Sequence, residues 1–448
     1  MAKEKTIFKC NQCGYAAPKW MGQCPTCQEW ETFEPTTTQP KRAVHTGKID
    51  IRKLGEVEKE NVSRFSSGMW ELDRVLGGGF VPGSLLLVGG EPGIGKSTLL
   101  LQVAANVEAQ GREVLYISGE ESLAQIRLRS DRLGITEENM SLLAETSLEA
   151  LEQVLEAHPY PFIIIDSIQT MHHADIGSSP GSVTQVREVT ARLMTICKPK
   201  GITAILVGHI TKDGMIAGPK ILEHMVDGVF YFEGDKFHNM RLLRAQKNRF
   251  GPAQELGMFQ MTAKGLVEVD NPSYLLLEQR PNEAAGSVII PCIEGTRPLM
   301  VEIQVLTSQS PFAAPRRLSM GVDPNRLALI LAVLEKKAGL QIQGLDVFVN
   351  IIGGFSIQEP ALDLALALAI YSAFTNKAMD PELAVFGELG LSGEIRSVSH
   401  GLLRFKECMN LGFKHVICPT GNGAVKVKGL EIFGVATLNE ALELVSAT

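Results

Sequence analysis

Gly90, Gly95, Lys96 and Ser97 stand at the fixed places of the pattern G-x-x-x-x-G-K-[ST]. They lie in the stretch Ser84-Leu-Leu-Leu-Val-Gly-Gly-Glu-Pro-Gly-Ile-Gly-Lys-Ser-Thr-Leu-Leu. The chemistry this spacing supports is anion binding. Glycines let consecutive backbone N–H groups turn inward around a phosphate, and the helix that follows adds its positive dipole end. Lys96 would reach the terminal phosphates and Ser97 would hold Mg²⁺ through its hydroxyl. The whole turn, Gly90, Glu91, Pro92, Gly93, Ile94, Gly95, Lys96, Ser97 and Thr98, is the expected cradle for a nucleoside triphosphate. A glycine-rich turn that binds nothing is the alternative. The flanks argue against it, because an apolar run at 85–88 leads in and an apolar-rich segment at 99–107 leads out. Strand, tight turn and helix is the context the motif needs.

A second constellation sits at the start of the chain. Four of the eight cysteines fall in the first 27 residues, as Cys10-Asn-Gln-Cys13 and Cys24-Pro-Thr-Cys27. Two C-x-x-C pairs on neighbouring turns bring four thiolates within tetrahedral reach of one Zn²⁺. Gly14 and Gly22 permit the turns, and Trp20 and Trp30 could pack over the site. So short a segment cannot bury enough apolar surface alone, so the metal would supply its folding energy. A redox pair or disulfides are the rival readings. Cys197, Cys292, Cys408 and Cys418 are scattered in apolar surroundings and read as core residues.

Phosphate chemistry needs acids as well as a loop. Phe162-Ile-Ile-Ile-Asp166 is an apolar strand ending in a carboxylate, placed to be the second Mg²⁺-side group. Tyr116-Ile-Ser-Gly-Glu120-Glu121 brings two more acids to a strand's carboxyl end, where ligands gather in open α/β sheets. Glu120 is the candidate to polarise the attacking water; a charge at the start of the next helix is its other reading. His209, ending another strand, is either a sensor of the terminal phosphate or a structural histidine.

These residues need a frame. Strands are predicted at 85–88, 114–118, 162–166, 204–208, 228–232 and 241–245, with helices at 98–110, 122–133 and 183–197. Several strands are solidly apolar rather than alternating, which fits a parallel sheet covered on both faces. The segment from Ser67 to Leu76 reads as a capped short helix stopped by Gly77-Gly-Gly. Residues 34–62, rich in Thr, Pro and charge, read as a linker between a zinc module at 1–33 and an ATPase body at 63–270. From 271 to 448 the pattern changes to a second α/β domain, with strands at 287–293, 300–306 and 347–352 and helices at 325–337, 361–374 and 401–411.

The order of phosphate loop, Glu-Glu strand end, Ile-Ile-Ile-Asp and then Lys247-Asn-Arg-Phe-Gly251 resembles the RecA-like ATPases. With the amino-terminal four-cysteine module it closely resembles one bacterial recombination branch of them, along essentially the whole chain. The resemblance implies a ring, six subunits by expectation, that hydrolyses ATP at its interfaces while moving on single-stranded or branched DNA. Branch migration in recombination and repair, beside proteins such as the RecA recombinase, is the implied role. By the same likeness Lys247 and Arg249 would reach a neighbour's terminal phosphate. Read without it, Arg241, Arg244, Lys247 and Arg249 look like a solvated basic strand edge. Two loops, 170–182 and 211–220, follow strand ends as the DNA loops of RecA-like proteins do; the second carries Lys212 and Lys220.

Phe386-Gly-Glu-Leu-Gly-Leu-Ser-Gly-Glu-Ile-Arg resembles the proteolytic domain of Lon-type proteases. That family uses a Ser–Lys pair, but its nucleophile's place falls on Ala361 and its lysine's place on Leu402. Neither can attack a peptide bond or take a proton. A Lon-protease-like scaffold without peptidase chemistry is therefore expected. Arg316, Arg317, Arg326, Lys336 and Lys337 are its candidate DNA-phosphate contacts, against the plainer reading of a solvated face. A protease with a relocated pair, Ser356 and Lys406, and a nucleotide-switched adaptor that never unwinds DNA are the rival functions.

Composition sets outer bounds. A net charge of −7 gives no global electrostatic case for nucleic acid, so any DNA contact must come from local patches. The first residues lack the apolar core of a signal peptide, and no apolar run reaches the roughly 18 residues of a membrane span. A cytoplasmic protein with reduced thiols is expected.

Overall fold

The structure is a computed structural model that describes residues 6–10, 16–25, 29–37, 63–136, 139–209, 219–234, 239–281, 283–354 and 356–446. It divides into two compact units, Met1–Asn61 and Val62–Thr448. In the first, β1 (Thr6–Cys10) pairs antiparallel with both β2 (Ala16–Ala17) and β3 (Phe33–Thr37). Cys10 ends β1, and Cys24 sits in a turn whose N–H donates to the Glu29 carbonyl at 2.9 Å. Both cysteines are buried and share a small core with Ala17 and Phe33. Trp20 and Trp30, expected to pack over the cysteines, are 54% and 68% exposed and flank Gly22. Cys13 and Cys27 lie outside the described residues.

The second unit opens with α1 (Trp70–Leu76). Its cap differs from the expected one. Met69, at the cap position, lends no side-chain bond; Asp73, inside the helix, accepts the Ser67 N–H at 2.7 Å, and Glu268, far along the chain, accepts the Glu71 N–H at 2.6 Å. Then come β4 (Leu85–Gly90), α2 (Lys96–Ala109), β5 (Val114–Ser118), α3 (Leu123–Leu133), β6 (Ser141–Ala144) and α4 (Leu148–Ala157). They are followed by β7 (Phe162–Asp166), α5 (Val183–Lys200), β8 (Thr203–His209), α6 (Pro219–Met225) and β9 (Gly228–Glu233). Strands β10 (Met240–Asn248), β11 (Leu256–Thr262) and β12 (Gly265–Glu268) finish the sheet as an antiparallel meander. The nine strands run in the order β12-β11-β10-β9-β4-β8-β7-β5-β6, with β4 to β9 parallel. Every residue of β4 is buried. Leu86 and Val88 face a core shared with α1 and α2, while Leu85 and Leu87 face one shared with α4 and α5. Two covered faces are why this strand is solidly apolar.

The rest is α7 (Pro272–Leu277), β13 (Ser287–Glu294), β14 (Arg297–Gln309), β15 (Arg317–Met320), α8 (Pro324–Ala338) and β16 (Leu345–Ile351). After these come α9 (Leu362–Thr375), β17 (Leu383–Val385), β18 (Glu388–Leu389), β19 (Ile395–Arg396) and α10 (Gly401–Asn410). The chain closes with β20 (His415–Pro419), α11 (Thr420–Gly423), β21 (Glu431–Val435) and α12 (Leu438–Ser446). Seven strands form a mixed sheet, β15-β16-β14-β13-β17-β20-β21, and β18 and β19 pair separately. Helix α9 is apolar on all sides because it runs through the middle of this core.

The two sheets are joined by a buried ionic junction. Glu71 of α1 is fully buried and takes bonds from Arg297 of β14 at 2.5 Å, Arg74 at 3.2 Å and the Met258 N–H at 2.7 Å. Arg74 also reaches Glu255 at 3.0 Å, and Glu255 accepts the Thr296 N–H at 3.0 Å. Among the described residues no helix is long and apolar enough to cross a membrane.

Candidate phosphate-binding active site

Strand register assembles the site. Gly90 lies opposite His209 across β4 and β8, and Ser118 lies opposite Asp166 across β5 and β7. The carboxyl ends of these strands therefore form one edge, onto which the loop 90–98 turns. Gly90 is required there, because its φ is +157° and a Cβ would come within 2.6 Å of the Phe232 carbonyl oxygen. Arg241, read from sequence as part of a solvated edge, is buried. Its Nε donates to the Ile94 carbonyl at 2.9 Å and so pins the loop from below. Arg244 is equally committed, to Glu294 at 2.7 Å.

Lys96 begins α2, and its Nζ donates to the carbonyls of Gly90 at 2.7 Å and Glu91 at 3.0 Å, with His209 Nδ1 3.4 Å away. Burial pushes its ammonium down to about 8, against the pull of Asp166 and Glu120. His209 Nε2 lies 3.1 Å from Glu120 Oε1, which also accepts the Ser167 hydroxyl at 2.7 Å. Burial tends to raise the Glu120 carboxyl, but these two partners, with the Lys96 charge, hold it below the ordinary range. Glu121 points elsewhere, paired with Arg129 of α3, and Ser122 and Gln125 cap that helix. Asp166 accepts the Tyr116 hydroxyl at 2.7 Å. The donor set fits the expected ligands: a glycine turn and a lysine for phosphates, a hydroxyl at Ser97 and a carboxylate at Asp166 for Mg²⁺.

Lys247 and Arg249 are not at this edge. Asn248 lies opposite Gly228 and Lys247 opposite Val229, at the amino end of β9. Lys247 Nζ donates to the carbonyls of Glu223 at 2.6 Å and Val226 at 2.8 Å. Arg249 reaches Asp227 at 3.0 Å, beside Leu85. The six-residue strand β4, about 16 Å end to end, separates Arg249 from Gly90. The intervening signature residues anchor the segment: Asn248 donates to the Val75 and Leu76 carbonyls at 3.2 and 3.1 Å, capping α1. Gly251 lies so close to Gly77 that a Cβ would come within 2.8 Å of its Cα.

The first candidate DNA loop is stitched down. Gln185 of α5 donates to the carbonyls of His173, Ile176 and Ser178 at 3.2, 3.1 and 2.9 Å. Residues 210–218, with Lys212, and the side chain of Lys220 lie outside the described residues. Arg316 pairs with Asp346 at 3.1 Å, and Arg317 Nη2 donates to the Ile342 carbonyl at 3.3 Å. Arg326 is held in the same way, with Nε and Nη2 both on the buried Asp363. Lys336 and Lys337 are exposed. Ala361 is buried at the cap of α9, and Leu402 lies in the first turn of α10.

Three family matches agree with this layout: a rubredoxin metal binding domain over residues 8–35, an AAA domain over 56–215 and the subunit ChlI of Mg-chelatase over 328–422. The chain is 50% identical to the DNA repair protein RadA of Halalkalibacterium halodurans, with 99% of each chain covered. The RadA proteins of Bacillus subtilis and Escherichia coli are 49% and 46% identical, again over 99% of both chains. The chain belongs to the RadA family. RadA membership agrees with a RecA-like P-loop core, an amino-terminal zinc ribbon and a carboxyl-terminal Lon-protease-like α/β domain, as expected from the sequence. The KaiC-like protein PH0186 of Pyrococcus horikoshii shares 23% identity at a TM-score of 0.40, covering 46% of this chain and 99% of that one. That likeness is too distant to carry an argument. Tyr116, Ser167 and Arg241 support the phosphate edge of this RadA chain without standing in a spaced pattern, so motif reading gave them no part in it. Asp227, at the other end of β4, escaped for the same reason.

Proposed function

We propose that the chain is a DNA-dependent ATPase motor that assembles as a ring, six subunits by our reading, and drives branch migration in recombinational repair. ATP lies on residues 90–98, with Lys96 neutralising the terminal phosphates. Mg²⁺, held by Ser97 and Asp166, would supply further charge neutralisation to the transferring phosphoryl group. Glu120, kept ionised by Ser167 and His209, orients the attacking water. Lys247 and Arg249 stabilise the transition state of the neighbouring subunit's ATP. Zn²⁺ on Cys10, Cys13, Cys24 and Cys27 folds the amino-terminal module. DNA runs along the loop 170–182 and the segment carrying Lys212 and Lys220, with Arg316 and Arg317 as outer phosphate contacts. The divisions 1–33, 34–62, 63–270 and 271–448 are the modules of this machine.

One observation supports the ring most directly. The two cations of the Lys-Asn-Arg-Phe-Gly signature stand at the opposite end of β4 from the chain's own phosphate loop, so they cannot act on that chain's ATP, and a role in hydrolysis requires a neighbouring copy. Lys96→Ala is expected to abolish ATP turnover, and forked-duplex unwinding with wild-type protein should require ATP. DNA-stimulated hydrolysis at the normal rate in Lys96→Ala would overturn the site. Binding of forks without any unwinding would leave an adaptor instead of a motor.

A further inference from the structure

Asp227 is buried, at 3% exposure, immediately before β9. Its backbone is tied at both ends: its N–H donates to the Leu85 carbonyl at 2.8 Å, and its own carbonyl accepts the Arg249 N–H at 3.0 Å. Its carboxylate is divided in the same way. Oδ2 accepts the N–H of Leu85, the first residue of the phosphate-loop strand, at 3.1 Å. Oδ1 receives Arg249 at 3.0 Å and Lys198, from the last turn of α5, at 3.1 Å. Lys247 is held close by on the carbonyls of Glu223 and Val226.

Two cations thus bond one carboxylate with a third, Lys247, beside them, and the side chains of Lys198 and Arg249 are 41% and 51% exposed. Glu223, half-buried, is a second acid near Lys247, yet three cations still outweigh two acids, and such an excess with charged heads at the surface can receive an anion from outside. No phosphate of the same chain can be that anion, because the loop lies at the far end of β4.

We infer that Asp227 is the positioning residue for the cations offered to the neighbouring subunit, and that Lys198 belongs to that set beside Arg249 and Lys247. The inference rests on the proposed shared site and adds to it. One oxygen of Asp227 is bonded to the start of β4, so Arg249 and Lys198 are indexed to the strand that carries the chain's own phosphate loop. A misplacement of about 1 Å in such a group costs up to roughly a hundredfold in rate. A simple ion pair on the surface would cost almost nothing.

Mixed assembly tests this. Subunits carrying Asp227→Asn keep their own phosphate loop, and subunits carrying Lys96→Ala keep their cations. Asp227→Asn alone is expected to lower the turnover number of DNA-stimulated ATP hydrolysis about tenfold or more, with the Michaelis constant for ATP little changed. Mixed one to one with Lys96→Ala, about a quarter of the head-to-tail interfaces, and so about half of the sound loops, would meet sound cations, and turnover counted per Asp227→Asn subunit should rise accordingly. Lys198→Gln, at an exposed position, should show a smaller loss recovered in the same way when counted per variant subunit.

Arg249→Ala mixed with Lys96→Ala is the control. If that pair recovers activity while Asp227→Asn and Lys198→Gln do not, the roles given to Asp227 and Lys198 are wrong and the shared site stands. Wild-type turnover in Lys198→Gln overturns its membership of the set. If Arg249→Ala itself is not recovered, the shared site falls and this inference with it. Should Asp227→Asn fail to fold, Lys198→Gln decides alone.

Discussion

Lys96 sets the pH behaviour of the nucleotide site. Burial brings its ammonium down to about 8 in the absence of an anion, whereas a bound triphosphate favours the charged form. Below that pH the lysine is already charged and ATP binds without proton uptake. Above it, binding must recruit a proton, so the dissociation constant should rise by up to about tenfold for each pH unit. Titration calorimetry between pH 7 and 9 in two buffers of different ionisation enthalpy would show the uptake as a buffer-dependent heat. Tyr116→Phe removes the hydroxyl that Asp166 accepts, at about 1 kcal/mol of stability. It should slow hydrolysis several-fold while leaving the fold intact, as turnover and melting temperature measured together would show. Asp166 and Glu120 were legible in sequence because strand-end acids follow an apolar run. Tyr116 was not, since nothing local distinguishes a tyrosine facing Asp166 from one facing a helix.

At the scale of elements, strand and helix boundaries followed local physics closely. The apolar runs at β5 and β7 fell where expected, because a strand covered on both faces leaves no polar residue to blur its ends. The short β6 and the meander strands β11 and β12 escaped notice, being marked by pairing partners rather than by their own periodicity. The loop after β7 shows the same limit. Its place after a strand end marked it only as a candidate DNA loop, yet Gln185 holds three of its carbonyls. Gln185→Ala leaves those groups unsatisfied at about 1–3 kcal/mol, confined to the loop. Hydrogen exchange at 173–178 should accelerate while the β4 and β7 amides keep their protection; if this loop contacts DNA, stimulation by single strands should fall as well.

At the scale of the molecule, the Glu71 junction makes the ATPase and Lon-like sheets one mechanical body. Glu71→Ala leaves Arg297 without its acid and Arg74 with Glu255 alone. Breaking a buried pair in this way costs about 3–5 kcal/mol, read as a lower melting temperature for the whole second unit. The amino-terminal unit should respond separately: Cys24→Ser is expected to lose zinc, by metal analysis, and leave ATP binding by the body unchanged. The phosphate loop, the cysteine pairs, the alternation of strands and helices and the absence of a Ser–Lys pair at Ala361 and Leu402 were all determined by sequence alone, because each depends on residues close together in the chain. The pinning of the loop by Arg241, 147 residues from Ile94, and the seat of Asp227 against Leu85, 142 residues away, were decided only by the tertiary structure. Sheet order and register bring such groups together, and no local preference encodes which strand lies beside which.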